Sequence, residues 1–146
     1  MFRRILFGTD FSPASRPAFQ RAVALARQFR GRLLVVHVMP SGWPLGAEGY
    51  VTPRMYDEME TAIRRSAQKQ LDRLVARAKR AGVSARGLLL SGAAPGAIAL
   101  TARKERSDVV IVGTHGRTGL ERLLAGSVAS RIVGTAPCPV LTVRPR

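Results

Sequence analysis

Apolar residues keep two rhythms along this chain. In one they run together for several positions. In the other they return every third or fourth position. The first rhythm predicts strands buried on both faces, the habit of parallel sheets. Such runs are residues 3–8 around Ile5-Leu6-Phe7, Leu33 to Val38, Val109 to Val112, and Val140 to Val143. Residues 83–91 make a further strand, with Ala85 and Leu88-Leu89-Leu90 as its apolar content. The second rhythm predicts helices with one inward face. Phe19, Ala22, Val23, Ala26 and Phe29 make one such face, ended by Gly31. Its start has two readings: Ser12 caps with Pro13 following, or Ser15 caps with Pro17 in the first turn. A long helix runs from about Arg54 to Ala81, with Tyr56, Met59, Ile63, Ala67, Leu71, Leu74 and Ala78 inward and Gly82 closing it. Gly92-Ala93-Ala94-Pro95 turns into a short helix with Ile98, Ala99 and Ala102 inward. Residues 120–124 form a helical turn, and residues 128–134 a helix with Ile132 and Val133 inward, stopped by Pro137 and Pro139.

Five strands alternating with helices predict a doubly wound α/β sandwich with a mostly parallel sheet. At 146 residues the chain reads as one domain, residues 1–146. Right-handed crossovers place ligands outside the carboxyl ends of the strands, at the switch point. If the first and fourth strands are neighbours, Gly8 to Asp10, His37-Val38 and Gly113 line one cleft. Residues 39–53 hold three prolines and three glycines and are expected to be mobile without ligand and to close over that cleft as a lid.

The fourth strand leads into Gly113-Thr114-His115-Gly116-Arg117-Thr118-Gly119, three glycines in seven residues. Glycines there turn backbone N–H groups outward and leave no Cβ in a ligand's way. Gly126-Ser127 then opens another helical stretch, and helix starts carry unpaired N–H groups and partial positive charge. Both ends suit an anion, and a polyphosphate foremost. No Gly-Lys-Ser/Thr follows, so this is not a P-loop, and the spacing is not the dinucleotide G-x-G-x-x-G. The bland alternative is plain turn chemistry.

Composition narrows the classes. Hydrophobic residues make up 46%, the level of a folded protein. No run approaches the length of a membrane span, and no signal-peptide core follows Met1. The single cysteine, Cys138, excludes an internal disulfide framework and suits a reducing cytoplasm. Net charge is +15, from 24 basic and 9 acidic residues. The basic residues are spread over solvent faces of helices, and seven aromatics besides Trp43 give no stacking platform. Specific nucleic-acid binding is not expected; weak polyanion binding follows from the charge alone.

Taken together these residues resemble the universal stress protein family. The resemblance rests on Thr9-Asp10-Phe11-Ser12, His37-Val38, Gly113-Thr114-His115-Gly116, Gly126-Ser127-Val128 and Ala136-Pro137-Cys138-Pro139-Val140. It implies a five-stranded parallel sheet of order 3-2-1-4-5 with helices on both faces. The ATP-binding subgroup carries G-x₂-G-x₉-G-[S/T], which here is Gly113, Gly116, Gly126 and Ser127. The resemblance therefore implies ATP, with Mg²⁺ or Mn²⁺. It implies a site of Gly8, Thr9, Asp10, Val38, Val112, Gly113, His115, Gly116, Arg117, Gly126, Ser127 and Val128. Asp10 falls at the ribose, Val38 and Val112 at the base, and the glycine stretch with Ser127 and Val128 at the phosphates. Gly8 departs from relatives that carry proline there.

The resemblance further implies a regulator acting by binding, with slow hydrolysis or none, and a homodimer through residues 140–143. Alternatives are a nucleotide-dependent enzyme and a basic polyanion binder. The alternative for Asp10 is that it only braces its turn, while His37 reads as a packed or hydrogen-bonded structural residue and Cys138 as a small buried one.

Overall fold

The computed structural model describes residues 1–41, 51–114 and 127–145. The strands are β1 (Arg4–Gly8), β2 (Arg32–Met39), β3 (Ser84–Ser91), β4 (Val109–Gly113) and β5 (Val140–Val143). The helices are α1 (Arg16–Gln28), α2 (Pro53–Arg80), α3 (Ala94–Lys104) and α4 (Ser127–Thr135). All strand pairs are parallel and the sheet order is β3-β2-β1-β4-β5, as expected. Most of residues 39–53 and all of 120–124 lie outside the described residues, so the expected lid and helical turn do too.

Strand alternation sorts the core into two halves. Ile5, Phe7, Leu33, Val35 and Ile111 face α1 and α2, where Phe19, Ala22, Leu71 and Ala78 meet them. Leu6, Leu34, Val36, Val110 and Val112 face α3 and α4, where Ile98, Ala102, Ala129 and Ile132 meet them. The unbroken run Val109 to Val112 is buried throughout because β4 is covered on both faces.

Both readings of the first helix start hold in part. Ser12 and Pro13 begin a 3₁₀ turn, Pro13–Ser15, and α1 then starts behind Ser15 with Pro17 in its first turn. Neither serine caps a helix through its side chain.

Three expectations are corrected. Met59 and Ile63 are not inward but 37% and 49% exposed, with only Ala67, Leu71 and Ala78 of that helix fully buried. The cause is length. At 1.5 Å per residue α2 spans about 42 Å, against about 26 Å for an eight-residue strand, so its first half overhangs the sheet. Val133 is 56% exposed, because Ile132 and Ala129 already fill the inward side of short α4. Gly31 does not supply the left-handed residue that ends α1; Arg30 does, at φ 50°.

Gly31 is needed for a different reason. A Cβ there would stand 2.9 Å from the carbonyl oxygens of both Phe2 and Arg3. Main-chain atoms cannot swing aside as a side chain would. Gly31→Ala is therefore expected to cost about 1–3 kcal/mol, read as a lowered denaturation midpoint.

Asp108 ties β1 to β4. Its Oδ2 accepts from the N–H groups of Arg3 and Arg4, and its Oδ1 accepts from the Arg4 guanidinium at 2.8 Å. The Arg4 hydrogen bond above all, opposed by desolvation, holds this carboxyl below its ordinary range. A depressed carboxyl stabilises the fold above its unfolded pKa, about 3.9, and loses that contribution as pH falls through the lower folded value. Asp108→Asn is expected to be less stable than wild type at neutral pH. The gap should close as thermal melts are taken below about pH 4.

Candidate functional site

The sheet order places the switch point between β1 and β4, where the chain's crossovers change direction. A cavity of about 190 Å³ opens there at the carboxyl ends of the strands, on the α3/α4 side. Gly8, Val38 and Val112 supply its strand wall, and Ala94, Ile98, Ser127, Val128, Ala129 and Ile132 its helix wall. Thr9, Asp10, Ser15, Gly113 and Thr114 complete it.

Of the twelve residues expected from sequence, eight line this one cavity: Gly8, Thr9, Asp10, Val38, Val112, Gly113, Ser127 and Val128. His115, Gly116, Arg117 and Gly126 lie outside the described residues. Sequence reading missed Ser15, Thr114, Ala129, Ile132 and the α3 wall of Ala94 and Ile98. The missing signal was positional. α3 begins just past the carboxyl end of β3, as α4 does near β4, and residues 94 and 98 share a helical face.

Gly8 has a measurable reason to be glycine. A Cβ there would lie 3.0 Å from Ile98 Cδ1 and 3.2 Å from Val112 Cγ1. Its absence lets Ile98 close the back of the cavity.

The turn after β1 is held by a chain of hydrogen bonds. Phe11 N–H donates to Thr9 Oγ1 (3.0 Å), which stands 3.1 Å from Ser15 Oγ. Ser15 Oγ donates to the Ser12 carbonyl at 2.8 Å. That last bond uses the Ser15 proton, so Thr9 is the donor between the two hydroxyls. Asp10 Oδ1 accepts from Ser12 N–H at 2.9 Å, so Asp10 does brace the turn while also lining the cavity. Phe11 is held at φ 63°, an uncommon conformation for a bulky residue, and its ring stacks on His37 at 4.1 Å. His37 Nδ1 lies 2.8 Å from the Thr9 carbonyl, an acceptor, so this nitrogen carries the proton. His37 thus has the structural role expected of it.

Electrostatically the described wall holds one carboxylate, Asp10, and no lysine or arginine. Its means of meeting an anion is backbone. No side chain caps α3, which leaves first-turn N–H groups open, and α4 begins at Ser127 on the opposite wall. Among the described residues no cluster of three His, Cys, Asp or Glu side chains could hold a metal. Cys138 is half-buried rather than buried, and burial pushes its thiol up, the direction away from a reactive thiolate. Among the described residues no helix is long and apolar enough to cross a membrane.

Comparison with known proteins follows this geometry. Residues 1–144 match the Universal stress protein family. A universal stress protein of Methanocaldococcus jannaschii is 31% identical over 146 residues, covering 99% of this chain and 83% of that one. The universal stress protein A homolog 1 of Coxiella burnetii is 34% identical over 142 residues, covering 97% and 96%. Among solved structures, a hypothetical protein of Methanocaldococcus jannaschii superposes with a TM-score of 0.87 at 23% identity, covering 100% of this chain and 98% of that one. A universal stress protein in complex with cAMP gives 0.72 at 24% identity, covering 98% and 97%. One from Archaeoglobus fulgidus in complex with dAMP gives 0.69 at 21%, covering 98% of each.

Proposed function

Because this chain belongs to the universal stress protein family, we propose that it binds ATP and works as a nucleotide-dependent regulator in a stress response. The observation that carries this reading is the gathering of eight expected residues around one cavity at the switch point. The sequence motif of Gly113, Gly116, Gly126 and Ser127 supports a triphosphate. The cAMP and dAMP bound by two solved relatives support an adenine nucleotide.

The described residues fit such a ligand. Val38, Val112 and Ile98 give an apolar slot for a flat base. Asp10 suits ribose hydroxyls, since its charge would repel phosphate. The first-turn N–H groups of α4, at Ser127 and Val128, suit the phosphates, joined by the glycine stretch that precedes them. A Mg²⁺ or Mn²⁺ ion would neutralise phosphate charge and be held by phosphate oxygens and water. A single cysteine suits a reducing compartment, and we propose the cytoplasm.

The mechanism is binding. A backbone cradle grips ground-state charge, whereas acceleration needs groups that act on the transition state. His37 is already engaged with the Thr9 carbonyl, and Thr9 and Ser15 with each other. Phosphoryl transfer asks for a water-orienting residue and a cationic clamp, and for these the sequence of the glycine stretch offers only His115, Arg117 and Arg122, with no lysine. Calorimetric titration should give one ATP per chain, and single-turnover assays slow hydrolysis or none. Turnover of about ten per second, ordinary for an enzyme, would overturn the binding mechanism.

We also propose a homodimer through β5. Among the described residues its outer edge has no neighbour in the sheet. Leu141 on the strand is 42% exposed, and Val133 on the adjoining helix 56%. An apolar open edge calls for a partner strand. Leu141→Lys is expected to shift light scattering from dimer to monomer at micromolar concentration. An unchanged mass would refute the interface.

A further inference from the structure

A second cavity, of about 270 Å³, lies on the reverse face of the β1–α1 turn, between α1 and α2. We propose that it binds a small organic dianion of the phosphate monoester class, separately from the nucleotide cleft. Arg16, Arg73 and Arg77 line it, with Gln70 beside them and no carboxylate. Among the described residues none of these three arginines makes an ion pair.

In a chain of net charge +15 unpaired arginines are common, so their freedom alone decides nothing. Their placement does. Arg73 and Arg77 stand four residues apart on α2, where like charges repel across one helical turn. Arg16 opens α1, where the helix dipole disfavours a cation. Two locally unfavourable arrangements thus converge on one hollow, and an anion in it would relieve both. Arg77 is already oriented, with its guanidinium 5.2 Å from the centre of the Phe19 ring. A planar guanidinium offers paired donors that match phosphate oxygens. Three of them favour a dianion over a monoanion. The inner wall is Phe7, Phe11, Phe19 and Leu74, which suits a short apolar body behind the charged head.

The probe is phenyl phosphate, titrated calorimetrically into the full chain beside inorganic phosphate and benzoate. Ala94→Trp protein, whose nucleotide cleft is filled, is titrated in parallel. Saturable binding of one phenyl phosphate in both proteins is expected, at least about tenfold tighter than either comparison anion. Arg73→Gln with Arg77→Gln should weaken it about tenfold or more, while Arg103→Gln with Lys104→Gln, distant from the hollow, should not. Should the α2 pair unfold the protein, Arg16→Gln carries the same expectation. Equal losses from both pairs, equal affinity for all three anions, or binding abolished by Ala94→Trp would overturn the proposal.

Discussion

Replacing Ala94 by tryptophan is expected to lower ATP affinity at least about a hundredfold, or about 2.7 kcal/mol, while the protein stays folded. Ala94 opens α3 and lines the cleft opposite the strand wall. It is half-buried at a helix start, where a large side chain can enter the open cavity without crossing the core. The cavity is only about 190 Å³, so an indole there leaves no slot for a base. Gly126→Val should act at the other end of the ligand, where the sequence motif puts the phosphates against main chain. Calorimetry reads both, with circular dichroism checking the fold. Affinity unchanged in both variants would mean that ATP binds elsewhere or not at all.

Leu71→Ala is expected to cost about 2–5 kcal/mol, a large share of the roughly 5–15 kcal/mol that holds a domain of this kind together. Leu71 is fully buried at 0% exposure. Its partner is a notch in β3: a Cβ on Gly87 would stand 2.8 Å from Leu71 Cγ. Ser84–Ser91 is an edge strand with no fully buried residue, and α2 is mostly exposed before Ala67. Leu71 seated over Gly87, with Val75 beside it, is therefore a close fastening between them. Gly87→Val should also destabilise, by overfilling the notch. The two changes together should cost less than their sum, because the new valine occupies space that the lost leucine leaves. Strict additivity in denaturant melts would contradict this packing.

What the sequence made legible followed physical periodicity. Val109 to Val112 announced a strand covered on both faces, and β4 is buried at those positions. The glycine at residue 82 announced the end of α2 and has φ 80°. Periodicity says which way a residue points, however, and not whether anything lies beneath it. Met59 and Ile63 carry the right phase but project beyond the sheet, whose extent no local pattern records. Gly31 looked like a helix terminator, yet its necessity comes from the carbonyls of Phe2 and Arg3, far away in sequence and just ahead of β1. The cleft was legible where residues carry recognisable chemistry, as in Asp10 and Ser127. Its α3 wall was not, because Ala94 and Ile98 are ordinary helix residues whose role arises only from the sheet order.

The most direct test is an amide NMR titration of the assigned protein with Mg-ATP. Saturable shifts should concentrate at Gly8, Thr9, Asp10, Val38, Gly113, Ser127 and Val128, and leave Arg73 and Arg77 on the opposite face unmoved. No saturable shift, or shifts centred on the α1–α2 hollow instead, would contradict the assignment of this cleft as the nucleotide site.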